Sequence, residues 1–389
     1  MNASKFQIAV IGGGAAGFFA SISASEANPN AQIMIYEKTS KLLQKVKVSG
    51  GGRCNVTHHC FASYKLAKNY PRGEKQLNEL FKVFQAKDTV AWFEARGVKL
   101  KIEADGRIFP VSDSSQTIID CFVDEIRKHG IQIHTNFAIE KVTKVGNQFH
   151  LQFLNGEKAQ VDKVIVATGG YNNIHSYQYL SDLGHGIISP VPSLFTFNDS
   201  QKYFAELSGI SVPNGIVKIA GTKFENFGPL LITHWGLSGP AVIKLSAWAA
   251  EYLASQPYAF TALVNWTGID KEEELKTQLA TFKNNHPKKK ITTNPLLEIP
   301  ARLWMKISEL AEIEENRIWA EISQKQYNKL IENLYRCTFY IKGKTTFKDE
   351  FVTCGGIDLS EIDLTTMESK LISGLYFAGE VLNIDGITG

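Results

Sequence analysis

Ile8-Ala9-Val10-Ile11-Gly12-Gly13-Gly14-Ala15-Ala16-Gly17 decides the fold. Its apolar half reads as a buried strand and its second half as a G-x-G-x-x-G turn opening a helix. Each glycine has its own reason. Gly12 permits the tight turn, Gly14 lets backbone approach a pyrophosphate, and Gly17 lets the helix pack closely on the strand. The N–H groups of Gly14, Ala15, Ala16 and Gly17, with the helix dipole, form an anion site. Outward from it, Phe6 to Ile11 reads as a strand, Ala15 to Ala27 as a helix, and Ile33 to Tyr36 as a second strand ending at Glu37. This is a βαβ unit of Rossmann type. Glu37 follows Gly17 by 20 residues, where an acid accepts hydrogen bonds from a ribose and disfavours a 2′-phosphate. FAD or NAD is therefore expected here rather than NADP.

The chain has 389 residues, 44% hydrophobic and 21% charged, with a net charge of +3. That length allows two or three domains with a large core. The mild charge gives no electrostatic footprint for nucleic acid, so no nucleic-acid partner is expected. Lys288-Lys289-Lys290 reads as a solvated loop. The five cysteines contain no C-x-x-C pair, which argues against a zinc site, a disulfide framework and the dithiol branch of flavoenzymes. No metal is expected. Lys5 and the apolar stretch from Ile8 to Ala24 imitate a signal peptide, but the glycines at 12, 13, 14 and 17 account for it better. A cytoplasmic protein without membrane attachment is expected, its oligomeric state open.

Further along, Lys75 to Ala95 has the period of one long amphipathic helix or two short ones, ended by Gly97. Ser112 to Ser115 supplies an N-cap for a helix to about His129. Val161 to Ala167 is an apolar run of parallel-sheet character that enters Thr168-Gly169-Gly170. From about Pro190 short alternating runs suggest an inserted β-rich domain. Lys271 to Asn285 and Leu303 to Asn333 look helical, and Leu375 to Ala378 is again a buried strand. The expected domains are 1–190 for the first part of a nucleotide-binding domain, 191–345 for the insertion with a helical part about 270–335, and 346–389 for the return.

Two further signals favour FAD over NAD. Val164 to Gly170 is an apolar strand with an A-T-G-G turn, by which large FAD domains return to the dinucleotide. Gly379-Glu380 lies where such domains place an acid on the ribityl hydroxyls. Between them and the fingerprint stands Ser49-Gly50-Gly51-Gly52-Arg53-Cys54-Asn55, whose glycines strip side chains from a backbone that something planar or anionic can approach at any φ. No second G-x-G-x-x-G occurs between 180 and 350, so a separate nicotinamide domain is absent.

S-G-G-G-R-C-N, Thr233-His234-Trp235-Gly236-Leu237-Ser238-Gly239-Pro240, Gly106 to Pro110 and Thr353 to Gly389, with the two turns above, resemble the BaiN/RdsA-type (HI0933-like) family of FAD-dependent oxidoreductases. The resemblance extends over nearly the whole chain. It implies an α/β fold with a Rossmann-like FAD-binding domain of glutathione-reductase type and an inserted β-barrel-like plus helical domain. It implies backbone N–H groups of Ser49, Gly50, Gly51 and Gly52 near the isoalloxazine, with Lys45 as a loop contact. Lys38, Ile139, Thr168, Gly169 and Gly170 complete the expected cofactor set. Lys38, Lys41, Lys45 and Lys47 otherwise read as a solvated basic face. The family motif runs past Gly389 into a turn and a helix facing the flavin, so a short tail is expected beyond this sequence.

Arg53 could stabilise charge on reduced flavin or anchor an acidic substrate, or merely pin its loop by an ion pair. Asn55 could hydrogen-bond the ring or its loop, and Cys54 reads as a packing residue. His234 and Ser238 suggest a base and nucleophile, but the glycines around them favour a structural turn; if functional, His234 exchanges a proton near the flavin. Tyr171 and His175 are weaker candidates. The expected activity is hydride exchange between FAD N5 and a small organic substrate, as in NAD(P)H-driven enone or C=C reduction, or amine oxidation, with NAD(P)H a transient donor. An NAD-only dehydrogenase and a non-catalytic flavin-binding redox or RNA-associated protein are the alternatives.

Overall fold

The computed structural model describes residues 6–345 and 352–387. Lys5, the expected boundary at residue 346 and Gly389 lie outside the described residues. The chain divides into two compact units, residues 1–192 with 348–389, and residues 193–347.

The first unit is built on a parallel sheet. Its strands β1 (Gln7–Ile11), β2 (Gln32–Glu37), β3 (Gln132–Thr135), β4 (Lys163–Val166) and β5 (Leu375–Phe377) stand in the order β5-β4-β1-β2-β3, with two short antiparallel strands, Ile362–Asp363 and Glu368–Ser369, beyond β5. Val10 pairs with Ile165 on one side and with Ile35 on the other. Both faces are covered, which is why these strands are continuously apolar. Ala9, Ile11, Met34, Tyr36, Val164 and Phe377 point to one face, against Phe149, Leu151 and Phe153. Ile8, Val10, Ile33 and Ile35 point to the other, against Phe18 and Ile22 of helix α1 (Ala15–Ala27) and Ile118, Phe122 and Ile126 of helix α2 (Ser115–Lys128). Burying each large side chain contributes about 1.5–3 kcal/mol. Ser114 caps α2, its hydroxyl accepting from the Gln116 N–H at 3.3 Å.

Two small antiparallel sheets flank these layers. One joins Thr57–His58, Arg107–Pro110 and Leu100–Ile102, and the other joins Ile139–Val145, Gln148–Phe153 and Lys158–Val161. The 75–95 stretch forms two helices, Glu74–Leu80 and Ala86–Glu94, because a capping box between Gln85 and Asp88 restarts the second.

The second unit is a closed six-stranded barrel of Thr196–Asp199, Gly236–Ser238, Glu225–Thr233, Ser211–Ile219, Ala259–Asn265 and Cys337–Thr345 in that order, with helices in the same unit. Closure removes the edges that an open sheet would expose. Its core includes the fully buried Trp266, Trp304 and Trp319. The stretch expected as one helical run from Leu303 to Asn333 is two helices, Ala301–Leu310 and Gln324–Tyr335. Glu312 turns left-handed at φ 59°, the Ile313 N–H returns to the Ser308 carbonyl, and a Ser323/Gln326 capping box begins the next helix. Among the described residues, no helix is long and apolar enough to cross a membrane.

Candidate cofactor site

The carboxyl ends of β5, β4, β1 and β2 lie side by side because these strands are parallel neighbours. Each delivers one expected segment to the same edge: Gly379-Glu380, Thr168 to Gly170, Gly12 to Gly17 and Glu37. Such an edge is where open α/β sheets bind ligands. The glycines divide by what a side chain would meet. A Cβ on Gly12 would stand 2.4 Å from the Ala167 carbonyl oxygen, one on Gly17 would stand 1.9 Å from that of Gly12, and one on Gly379 would stand 2.8 Å from the Ala16 Cβ. These three interlock the turns. A Cβ on Gly14, Gly51 or Gly169 would meet no protein atom within 4 Å. Those positions leave room for a ligand, and the N–H groups at the start of the helix after Gly14 suit an anion.

Gly14 caps α1 in ordinary extended backbone, leaving the first-turn N–H groups of Ala15, Ala16 and Gly17 directed outward. Glu37 already accepts three local bonds, from the Gly13 N–H at 2.8 Å and from the Thr39 N–H and hydroxyl, each at 2.9 Å. Its remaining lone pair is the one available to a ribose. Lys38 is exposed, with its ammonium 5.3 Å from the centre of the Tyr171 ring. Ile139 begins a strand just past Phe137, whose N–H donates to the Glu37 carbonyl. It packs half-buried on the sheet's core and pairs with Phe153 in its own sheet.

Ser49 ends a helical turn in extended conformation, and Gly50, Gly51, Gly52 and Cys54 follow with φ of 58°, 69°, 83° and 62°. Only glycine adopts such a run cheaply. A Cβ on Gly50 would strike the Phe109 ring at 2.8 Å and the Asn55 backbone nitrogen at 2.9 Å, so Gly50 serves the loop, whereas one on Gly51 would meet no protein atom. Arg53 donates to Glu103 at 2.5 Å, lies 3.5 Å from Asp113 and stacks 4.0 Å over the Phe109 ring. The ion-pair reading of Arg53 is the one the geometry carries. Asn55, half-buried, follows in the same loop. Burial raises the Cys54 thiol pKa, with a hydrogen bond from Ser49 opposing it, in keeping with packing.

Lys45 pairs with Glu380 at 3.2 Å and so joins this loop to the C-terminal return. The same return is held by residues that sequence reasoning missed. Asp385, its side chain fully buried, is paired with Arg72, and the Ile387 N–H donates to the Asn69 carbonyl at 3.0 Å. Long-range pairs of this kind leave no periodic signal. Tyr171 donates its N–H to the Tyr177 hydroxyl at 3.1 Å, and burial raises its phenol pKa. His175 is exposed at the start of a short helix.

His234 belongs to the second unit. It is exposed in the turn between Glu225–Thr233 and Gly236–Ser238, where the Gly236 N–H returns to the Thr233 hydroxyl at 3.1 Å. A Cβ on Gly236 would lie 2.3 Å from the Phe197 carbonyl oxygen. Ser238 is buried, and Pro240 opens a helix. The motif's glycines thus build a barrel turn.

Residues 6–389 match the family model described as HI0933-like protein Rossmann domain. A ribosomal RNA dihydrouridine synthase of Escherichia coli is 29% identical, covering 99% of this chain and 94% of that protein. A 3-dehydro-bile acid delta(4,6)-reductase of Clostridium scindens is 26% identical, covering 98% and 94%. Among solved structures, a 3-ketosteroid-delta4-(5alpha)-dehydrogenase of Rhodococcus jostii aligns with a TM-score of 0.50 at 12% identity, covering 100% of this chain and 93% of that one; this likeness concerns the fold.

Proposed function

The chain belongs to the HI0933-like Rossmann family and is an FAD-dependent oxidoreductase, and from that premise we propose that it reduces a carbon–carbon double bond conjugated to a carbonyl. The observation that supports this most is the cradle of Gly14, Gly51 and Gly169, open at the carboxyl edge of a parallel sheet. The substrate class follows from what two relatives' names share: dihydrouridine and a delta(4,6)-reduced 3-oxo compound both result from saturating such a bond. FAD, when bound, supplies the hydride chemistry.

The chain's own residues then divide the remaining work. The N–H groups from Gly14 to Gly17 hold the diphosphate, and Glu37 orients the adenosine ribose. Glu380, tied to Lys45, would hold the ribityl hydroxyls. The glycines from Gly50 to Gly52 present backbone N–H groups to the ring, and Arg53 keeps that loop in place through Glu103 and Asp113. NAD(P)H acts as a transient donor, consistent with the single fingerprint.

The test is anaerobic. The purified yellow protein is reduced with NADH or NADPH, then mixed separately with a cyclic enone, with uridine and with a uridine-containing RNA, while flavin reoxidation is followed near 450 nm. Reoxidation by at least one acceptor with formation of its saturated product supports the reading. Reduction of the flavin by amines without nicotinamide would transfer the assignment to amine oxidation. A preparation that stays colourless after FAD is added would leave an NAD-only dehydrogenase. A flavin that no acceptor but oxygen reoxidises would indicate a redox sensor.

A further inference from the structure

Three polar side chains form a buried row against β5. His185, its side chain fully buried, has Nδ1 2.8 Å from Glu361 Oε2 and Nε2 3.0 Å from Ser369 Oγ. The order is that of a serine–histidine–acid triad. Ser369 is buried, however, and its oxygen already accepts from the Leu371 N–H at 3.1 Å and the Ile372 N–H at 2.9 Å, so it is no nucleophile. A hydroxyl with both lone pairs engaged can only donate. Ser369 therefore donates to Nε2, and the imidazole's own proton lies on Nδ1, directed at Glu361. The row holds one neutral tautomer of His185.

A further proton has no place in it. On Nε2 it would face the Ser369 hydroxyl, which must then turn away and give up the N–H of Leu371 or Ile372. A buried donor left without an acceptor is costly. Glu361 attracts the added charge, but its side chain is 23% exposed, which screens the attraction, and it already accepts from the Gly186 N–H. Among the described residues, the other charged groups on the elements around His185 are engaged elsewhere. Asp182 accepts from Gln178, Asp358 from the Ser360 N–H and Glu368 from the Gly374 N–H, while Lys370 donates to the Ser360 carbonyl. Histidine ordinarily changes its charge between about pH 5 and 8. The row is complete above that range and is lost as pH falls through it.

Ser369 ends a short strand whose Glu368 pairs with Tyr376 of β5, and the Phe377 ring meets the His185 ring edge-on at 5.1 Å between centres. Gly379 follows two residues later, interlocked with Ala16, and Glu380 is next. We propose that His185 is a positioning residue for the cofactor site, holding β5 and the Gly379-Glu380 turn in place only while its imidazole is neutral, so that acidification weakens flavin binding. This rests on the assignment of Gly379-Glu380 to the cofactor made above.

The apoprotein is titrated with FAD at about pH 7.5 and about pH 5.5, affinity being read from quenching of flavin fluorescence, with a melting curve for each sample. The wild-type Kd is expected to rise about tenfold on acidification, the contribution of one hydrogen bond. His185→Gln supplies an amide that donates to Glu361 and accepts from Ser369 without titrating. It is expected to bind within about threefold of wild type at the higher pH and to change less than about twofold on acidification. His185→Leu, which makes neither bond, is expected to bind about tenfold more weakly at both. A wild-type Kd that does not move with pH overturns the proposal, and so does a His185→Gln protein that keeps the wild-type dependence. Tighter binding in acid would also overturn it, by giving the imidazolium–Glu361 attraction the larger effect. If His185→Gln fails to fold, nitrogen-15 NMR of the wild-type holoprotein decides. The histidine whose signals respond to Ser369→Ala is expected to carry its proton on Nδ1 near pH 7.5, and a proton on Nε2 instead would overturn the proposal. Glu380→Ala separates this role from the assignment beneath it: unchanged FAD affinity in that variant removes the assignment, whereas a pH-independent wild type removes only the role of His185.

Discussion

Replacing Gly14 with alanine separates the cofactor from the fold. A Cβ there meets no protein atom within 4 Å, and φ −92°, ψ −174° suits any residue. As an N-cap, alanine costs about 0.5–1 kcal/mol relative to glycine, offset by about 0.4–1 kcal/mol from a less flexible unfolded chain. The apoprotein should therefore melt within about 2 °C of wild type. With a diphosphate in the cradle, the same methyl displaces charged N–H contacts worth about 1.5–3 kcal/mol each. FAD affinity should then fall about 10- to 150-fold. The assay is flavin titration of the apoprotein by quenching of FAD fluorescence, with a melting curve for each sample. Gly17→Ala is the contrast, because its Cβ would lie 1.9 Å from the Gly12 oxygen; it should lower the melting temperature of the apoprotein itself. A folded Gly14→Ala protein that binds FAD within twofold of wild type would refute the assignment of this turn.

Arg53→Met should weaken FAD binding through the loop, with only a small loss of stability because the Arg53–Glu103 pair is partly exposed. Glu103→Gln should reproduce the loss of flavin affinity; a silent Glu103→Gln beside an impaired Arg53→Met would return Arg53 to the reaction centre. Arg72→Met removes the guanidinium paired with the buried Asp385 carboxylate, which should cost about 3–5 kcal/mol in urea unfolding, with R72M/D385L recovering most of it. A loss below about 1 kcal/mol would show that the pair is dispensable. Burial pushes the Cys121 thiol up to about 11 and the Cys337 thiol up to about 12. Near pH 8 both are almost wholly protonated, and reactivity should grow only as pH rises toward those values. Mass spectrometry after iodoacetamide at pH 8 should find the less buried Cys60 labelled first; early labelling of Cys337 would contradict the burial.

What the sequence makes legible is local and periodic. The apolar run before Gly12 and the small residues after it delimit β1 and α1 closely, since a tight turn between strand and helix has few solutions. The break at Glu312 is not legible, because the amphipathic period resumes in the next helix and a single left-handed residue leaves no pattern. The partners of Arg53 and Arg72 lie 50 and 313 residues away in sequence, and no spacing rule reaches that far. Net charge hides, for a related reason, the eight Lys and Arg that residues 38–73 carry without an Asp or Glu. It averages over the chain, whereas a surface is made of whatever the fold gathers. His234 shows the opposite limit: its motif is conspicuous, yet the physical demand behind the glycines is a hairpin pressed against Phe197.

The interlock of Gly12, Gly17 and Gly379 also bears on the order in which the protein can be made. Gly379 leaves the ribosome more than 360 residues after Ala16. At about 5–20 residues per second that delay is roughly 20–70 s. Until then β4 lacks its neighbour β5 and the nucleotide turn lacks the backbone that closes on it. The barrel unit draws its core entirely from residues 195–341 and can condense earlier. A nascent chain would thus hold a finished barrel and a half-built sheet, and the cofactor would enter only once Gly379 has emerged.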